Sequence, residues 1–426
     1  MIADYARTVR GFSRDVRLYL FAAALLGFTV FGGIYPVLFN LYLLRLGYGP
    51  DYVGSINSAV GLAFALFSLP AGLISRRWGG RRTMLLGIGT TALMLLLLTF
   101  AEFVPLGLRS WWLMVCSSVR AIGIALYWVN ARPFLMSATT EGERRHVYAV
   151  QGALLPLTGF VGSLVAGLLP GFFSRLLGFS LDHPAPYRYP LWIVAALLVP
   201  AVAALWSIRE FDTGQGGEQR RAGARDRALV VLIGVFAVAL FLQVTVQDAA
   251  VGFMNVYLDD GLRVPTPAIG TVLAVAQLLS AGAALLTPAL TKRWGSVRVF
   301  VWASLAAVLC ILPMAFVPHW VAASLGYLGI TALYGLTVPA INVYQMELVS
   351  SDWRTAMSGA TAMASGLNYS AVSFVGGQVI AGLGYRPLFL GSATLTVVGS
   401  VLFWAYFSAR EQAQARDTAQ QRGNAD

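Results

Sequence analysis

Along the chain, apolar runs of about 20 residues or more alternate with short polar stretches. Twelve such runs can be marked off, at 18–44, 52–75, 83–103, 110–137, 146–174, 190–208, 228–258, 266–290, 297–317, 320–347, 355–383 and 386–408. A hydrocarbon slab roughly 30 Å thick is crossed by about 20 helical residues, so each run predicts one transmembrane helix. Between the sixth and seventh runs, residues 209–227 (REFDTGQGGEQRRAGARDR) are charged and glycine-rich and predict a solvated linker. Residues 409–426 have a similar character and predict a tail. The pattern is therefore an all-α membrane protein, with helical bundles at 1–208 and 228–408.

The two bundles resemble each other. Phe39-Asn40-Leu41-Tyr42-Leu43 matches Met254-Asn255-Val256-Tyr257-Leu258; the run RRWG from Arg76 to Gly79 matches KRWG from Lys292 to Gly295; Phe160-Val161-Gly162 matches Phe374-Val375-Gly376. The offsets are 215, 216 and 214 residues. Three ordered matches at nearly one offset are the mark of a duplicated unit and predict pseudo-symmetric halves.

Composition agrees with a bilayer as solvent: 58% of residues are hydrophobic, 12% are charged and the mean hydropathy is +0.70. The net charge of +11 raises the question of nucleic acid, but the positions of the cations answer it. Clusters precede the first run (Arg7, Arg10, Arg14, Arg17), follow the second (Arg76, Arg77, Arg81, Arg82) and recur after each even-numbered run, while the alternate loops hold isolated arginines. The positive-inside rule then predicts both termini in the cytoplasm and no nucleic-acid partner. The near-total use of Arg over Lys suggests a GC-rich bacterial genome, hence the inner membrane, and a monomer is expected. Cys116 and Cys310 fall in opposite bundles, and His146, His183 and His319 are scattered in loops, so no metal or other cofactor is expected.

Two parallel six-helix repeats, a central linker and a basic, glycine-containing turn after the second helix together resemble the major facilitator superfamily. Gly72, Arg77, Gly79 and Arg81 fit the family's loop signature; Arg76 stands where that pattern has Asp, and Gly80 where it usually has a basic residue. The resemblance implies that this turn, with Arg82 and its repeat Lys292, Arg293 and Gly295, gates the cytoplasmic side by touching the opposite half. Simple topology anchoring is the alternative. Arg120 followed by Gly123 resembles a pattern of proton-linked exporters, although the Gly-Pro pair of antiporters is absent from the fifth helix.

Arg120 near mid-membrane costs on the order of 3 kcal/mol and so needs a wet cavity or a partner. Helical spacing puts Cys116, Gly123, Tyr127 and Asn130 on its face. A structural Arg bonded to neighbouring carbonyls is the competing reading. Asp248 is the acid expected well inside the membrane, with Gln243, Gln247 and Asn255 on the same broad face, lining the space between the halves. Burial favours its neutral form and a nearby cation its anion, so exchange between such settings couples protons to conformational change. A hydrogen bond at an outer gate is the alternative. Asn40 on helix 1, and Tyr334, Asn342 and Gln345 on helix 10, complete the expected pathway, with kinks anticipated at Pro36 and Pro339. Trp128 is the tryptophan expected near the cavity.

These features predict secondary transport of a small organic solute by alternating access, with export favoured and protons as coupling ion. Uptake of a sugar or other metabolite is the second reading, and a non-transporting solute sensor the third. The sole lysine, Lys292, is followed by Arg293, so no phosphate-cradling loop exists for ATP. No HExxH or paired acids suggest an enzyme.

Overall fold

The computed structural model describes residues 12–139, 141–210, 224–350 and 353–423. The first half contains α1 (Arg14–Thr29), α2 (Ile34–Arg45), α3 (Pro50–Trp78), α4 (Gly80–Leu98), α5 (Leu106–Ala138), α6 (Glu141–Leu177) and α7 (Ala185–Trp206). The second contains α8 (Ala224–Gln243), α9 (Thr245–Val256), α10 (Thr266–Trp294), α11 (Ser296–Phe316), α12 (Trp320–Leu348), α13 (Arg354–Leu383) and α14 (Tyr385–Gly423). Taken in pairs, α1 with α2 and α8 with α9 form the first and seventh crossings. Among the described residues, ten helical stretches are long and apolar enough to span a bilayer. The two other long helices, α3 and α13, are diluted by Gly, Ser, Thr and Asn, and they bury those small faces against each other across the two halves.

Both pseudo-equivalent crossings are broken where unbroken helices were expected. The first breaks at Val30–Gly33, where Gly32 takes φ +86°, a conformation that only glycine adopts at no steric cost. Pro36 does not make the break; it lies in the first turn of α2, where its missing N–H is no loss. Pro339 sits inside α12, which runs through it. The seventh crossing breaks at Val244. Its orphaned backbone groups are met by side chains of neighbouring helices, as a low-dielectric setting demands: Asn368 donates to the Phe241 carbonyl, and Val246 N–H donates to Thr396 Oγ1 at 3.0 Å. A π turn at Tyr257–Gly261 then ends this crossing.

Four expectations change. The basic loop after the second crossing is a single residue: Gly72, Arg76 and Arg77 belong to α3, and Gly79 alone, at φ +89°, turns the chain into α4. Gly295 repeats this at φ +84° between α10 and α11. The tail is helical, since α14 continues through Gly423. His146 lies within α6, and not in a loop. Most of the expected linker, residues 211–223, and the last three residues fall outside the described residues.

One apolar core runs through the first half and continues into α9 and the outer parts of α10 to α14. The basic end of the second half has a separate core of Phe236, Phe300, Tyr344, Phe403 and Phe407. Packing is thus continuous between the halves only at the end opposite the arginine clusters.

Candidate solute pathway and its gates

At the non-basic end the halves are sealed by polar contacts close to the pseudo-two-fold axis. Asn40 of α2 donates to Asn255 Oδ1 at 3.1 Å and to the Gly252 carbonyl at 3.2 Å, while Asn255 donates to the Pro36 carbonyl at 2.9 Å. One level further out, Arg45 grips Asp259 with both terminal nitrogens, at 2.7 and 2.8 Å, and donates through Nε to the Leu181 carbonyl at 3.0 Å. Tyr187 lies under the guanidinium, and its hydroxyl pairs with Thr266 Oγ1 at 3.2 Å. The planar fork of Arg matches the carboxylate and makes this a directional bolt between the first and seventh crossings.

Glycine contacts flank the bolt on both sides. A Cβ on Gly54 of α3 would lie 2.7 Å from Gly377 Cα on α13, and one on Gly270 of α10 would lie 2.7 Å from the Ser163 carbonyl on α6. Going down the same face of α3, Gly61 would meet the Gly366 carbonyl at 3.0 Å, whereas Gly72 has nothing within 4 Å. Gly54 and Gly72 are five helical turns apart on one stripe. The two helices therefore touch at the non-basic end and splay toward the basic one. The inter-half hydrogen bonds among the described residues lie on the closed side of that wedge.

The wedge holds a polar and aromatic cluster. Arg120 of α5 is buried, with its guanidinium carbon 4.3 Å from the centroid of Tyr35 on α2. Tyr369 of α13 lies within electrostatic reach of Arg120, Tyr35 and Asp248, and Tyr334 of α12 within reach of Asp248. Arg120 Nε and Asp248 Oδ2 are buried without a hydrogen-bond partner among the described residues, and the Tyr35 hydroxyl has Arg120 as its polar neighbour. Such groups are expected to meet water or a ligand. Arg120 and Asp248 themselves form no ion pair; aromatic rings stand between the two halves of the cluster.

Other expected residues are distributed differently. Gly123 packs on Gly87 and Thr91 of α4, so the predicted strip on α5 is partly a helix seam. Tyr127 is buried against Tyr19, and Asn130 donates back to Leu126 of its own helix at 2.8 Å. Trp128 stays partly exposed and lies against Phe31. Gln243 and Gln247 do not share the inter-half face of Asn255. Gln243 donates to Ser304 of α11 at 3.1 Å, and both glutamines line a small cavity of about 30 Å³ inside the second half, with Tyr334, Thr337 and Thr396. Gln243 and Gln247 lie four residues apart and turn together into that half, while Asn255, eight residues beyond Gln247 on α9, is roughly 80° further around the helix. Gln345 bridges Asn342 and Thr361 at 3.0 and 2.7 Å within the second half.

The basic motif is engaged within its own half. The Arg81 backbone N–H donates to Glu210 at 3.0 Å, and its side chain donates to the Ile208 carbonyl at 2.9 Å beside Trp206. Arg77, Arg82 and Lys292 are exposed, and Arg293 lies over Trp294. The side chain of Arg76 lies outside the described residues. Tyr35, Tyr369, Arg45 and Asp259 are the residues that helix-by-helix reading misses; for the last two, separation within one residue of the repeat offset is the signal that was available.

A family model described as Major Facilitator Superfamily matches residues 20–372. The chain is 21% identical over 397 residues to the multi-drug resistance efflux pump PmrA homolog of Lactococcus lactis subsp. lactis (strain IL1403), covering 88% of this chain and 90% of that protein. It is 23% identical over 392 residues to the multidrug resistance protein MdtG of Serratia proteamaculans (strain 568), covering 86% and 88%. Among solved structures, a D-xylose-proton symporter superposes with a TM-score of 0.71 at 14% identity, covering 92% of this chain and 97% of that one.

Proposed function

The chain belongs to the Major Facilitator Superfamily and is a secondary transporter, and from that premise we propose that it exports an amphipathic organic solute from the bacterial cytoplasm, driven by protons. The single observation that carries the reading is the splay of α3 from α13, closed at Gly54 and open at Gly72, over a cluster of unpartnered polar groups. With the arginine clusters on the cytoplasmic side, this state is open inward. Rocking of the halves, bounded near 1–208 and 228–408, opens the Arg45–Asp259 and Asn40–Asn255 contacts and closes the basic end.

Tyr35, Trp128, Tyr334 and Tyr369 supply aromatic surface for an amphipathic solute, and Arg120 orients its polar part. Asp248 carries the proton, because among the described residues it has no ion-pair partner in this state and rocking changes what faces it. The name of the Lactococcus lactis relative, an efflux pump, supports export, and the names of both relatives support a broad substrate range. Arg77, Arg81, Arg82, Lys292 and Arg293 serve the inner closure once the basic ends meet.

The test is flux in proteoliposomes loaded with amphipathic dyes, with and without an imposed pH gradient. Gradient-driven dye movement that is lost in Asp248→Asn supports the reading. Flux indifferent to both removes proton coupling, accumulation of sugars in the opposite sense identifies uptake, and dye binding with no flux identifies a sensor.

A further inference from the structure

A groove on the flank of the second half opens between α10, α11, α12 and α14. Its mouth at the basic end is framed by Trp294 and Arg298, its walls by Trp302 and Trp404, and its floor by Leu333 and Leu336 of α12. Trp294 and Trp302 are 50% and 64% exposed, so their rings face the membrane phase and not the core. The floor residues lie near the middle of α12, so the groove extends from the interface to about half the depth of a ~30 Å hydrocarbon slab, the reach of one acyl chain.

We propose that this groove is a binding site for an anionic phospholipid, its headgroup on Arg298 and one acyl chain along Trp302 toward Leu333. Charge and depth select the occupant. Arg298 has no hydrogen-bond or ion-pair partner among the described residues, it stands in the first turn after the Gly295 corner, and Lys292 and Arg293 add positive charge at the same end. Tryptophan rings sit at headgroup level, where one face is apolar and the N–H is wet. A zwitterionic lipid satisfies the acyl groove but not the unpaired cations, whereas each basic residue near the surface favours an anionic headgroup about fivefold.

The duplicated unit provides an internal control. Trp78 and Arg82 stand 216 residues before Trp294 and Arg298, but Leu86 stands where the second half has Trp302. The first half thus repeats the charge without the aromatic wall.

Native mass spectrometry of the full-length protein with added phosphatidylglycerol or phosphatidylcholine reads the site. The wild-type protein is expected to retain phosphatidylglycerol several-fold over phosphatidylcholine; Arg298→Gln should cut that preference about fivefold, and Arg82→Gln should leave it nearly unchanged. Leu333→Trp, which fills the floor, should lower retention of both lipids, and Trp302→Ala, at an exposed position that folding tolerates, should do so independently. Equal loss in Arg298→Gln and Arg82→Gln would show a net-charge effect and overturn the site, as would the absence of any headgroup preference in the wild-type protein.

Discussion

Asn40 donates its side-chain amide to Asn255 at 3.1 Å, and these two residues, 215 positions apart, occupy the same place in the two halves. They meet where the pseudo-two-fold axis passes between the first and seventh crossings. Each half thus contributes the same amide to one seal, and Arg45 and Asp259 add an ion pair one level further out. Access to the cluster around Arg120 from this end requires both contacts to part.

Removing the bolt should favour the opposite state. Arg45→Gln or Asp259→Asn leaves one partly buried partner unpaired, and roughly a tenfold shift toward outward access is expected. Cysteine labelling from outside at Ser58 and Ser370, whose hydroxyls meet across the halves at 2.9 Å, measures it. The reversed pair, Arg45→Asp with Asp259→Arg, should restore closure; labelling unchanged by either single substitution would count against the bolt.

Asp248→Asn keeps the shape of the side chain and abolishes its titration. The variant should retain dye binding and downhill flux while losing response to a pH gradient. An undiminished pH response in this variant would assign the coupling to another group.

Two glycines on one face of α3 should respond with opposite sign. Gly54→Ala drives a methyl group to 2.7 Å from Gly377 Cα and should cost about 1–3 kcal/mol of the closed arrangement. Gly72→Ala enters open space and should gain about 0.5–1 kcal/mol from helix propensity. Thermal unfolding in one detergent compares them directly. Equal effects would mean that the two helices do not diverge.

The single-residue corners should tolerate no side chain. Gly79→Ala and Gly295→Ala each force φ near +89° or +84° on an L-residue, at about 1–2 kcal/mol, and the Gly79 variant also crowds Glu210. Melting temperatures of the two variants, set against Gly72→Ala, test this.

The membrane class, the duplication and the even-numbered pattern of arginine clusters are legible in the chain because each depends on composition averaged over 20 residues or on exact repetition. The breaks at Gly32 and Val244 are not, because hydropathy is blind to backbone direction. Hydropathy is also silent on which polar neighbour a buried amide finds: Gln243 turns to Ser304 of its own half, and Gln247 lines the same cavity. Tyr369 is missed for a different reason. Its neighbours Asn368 and Ser370 pack on Phe241 and Ser58, while Tyr369 lies within electrostatic reach of Asp248 across the cluster. Such encounters between distant segments leave no periodic trace.

The bolt departs from the symmetry that the two amides keep. At the offset of 215 that relates Asn40 to Asn255, Arg45 corresponds to Asp260 and Asp259 to Leu44, so the ion pair joins non-equivalent positions. Two identical subunits would form such a contact twice; here its counterpart sets Leu44 against Asp260, and the latch exists in a single copy, with the cation supplied by one half and the anion by the other.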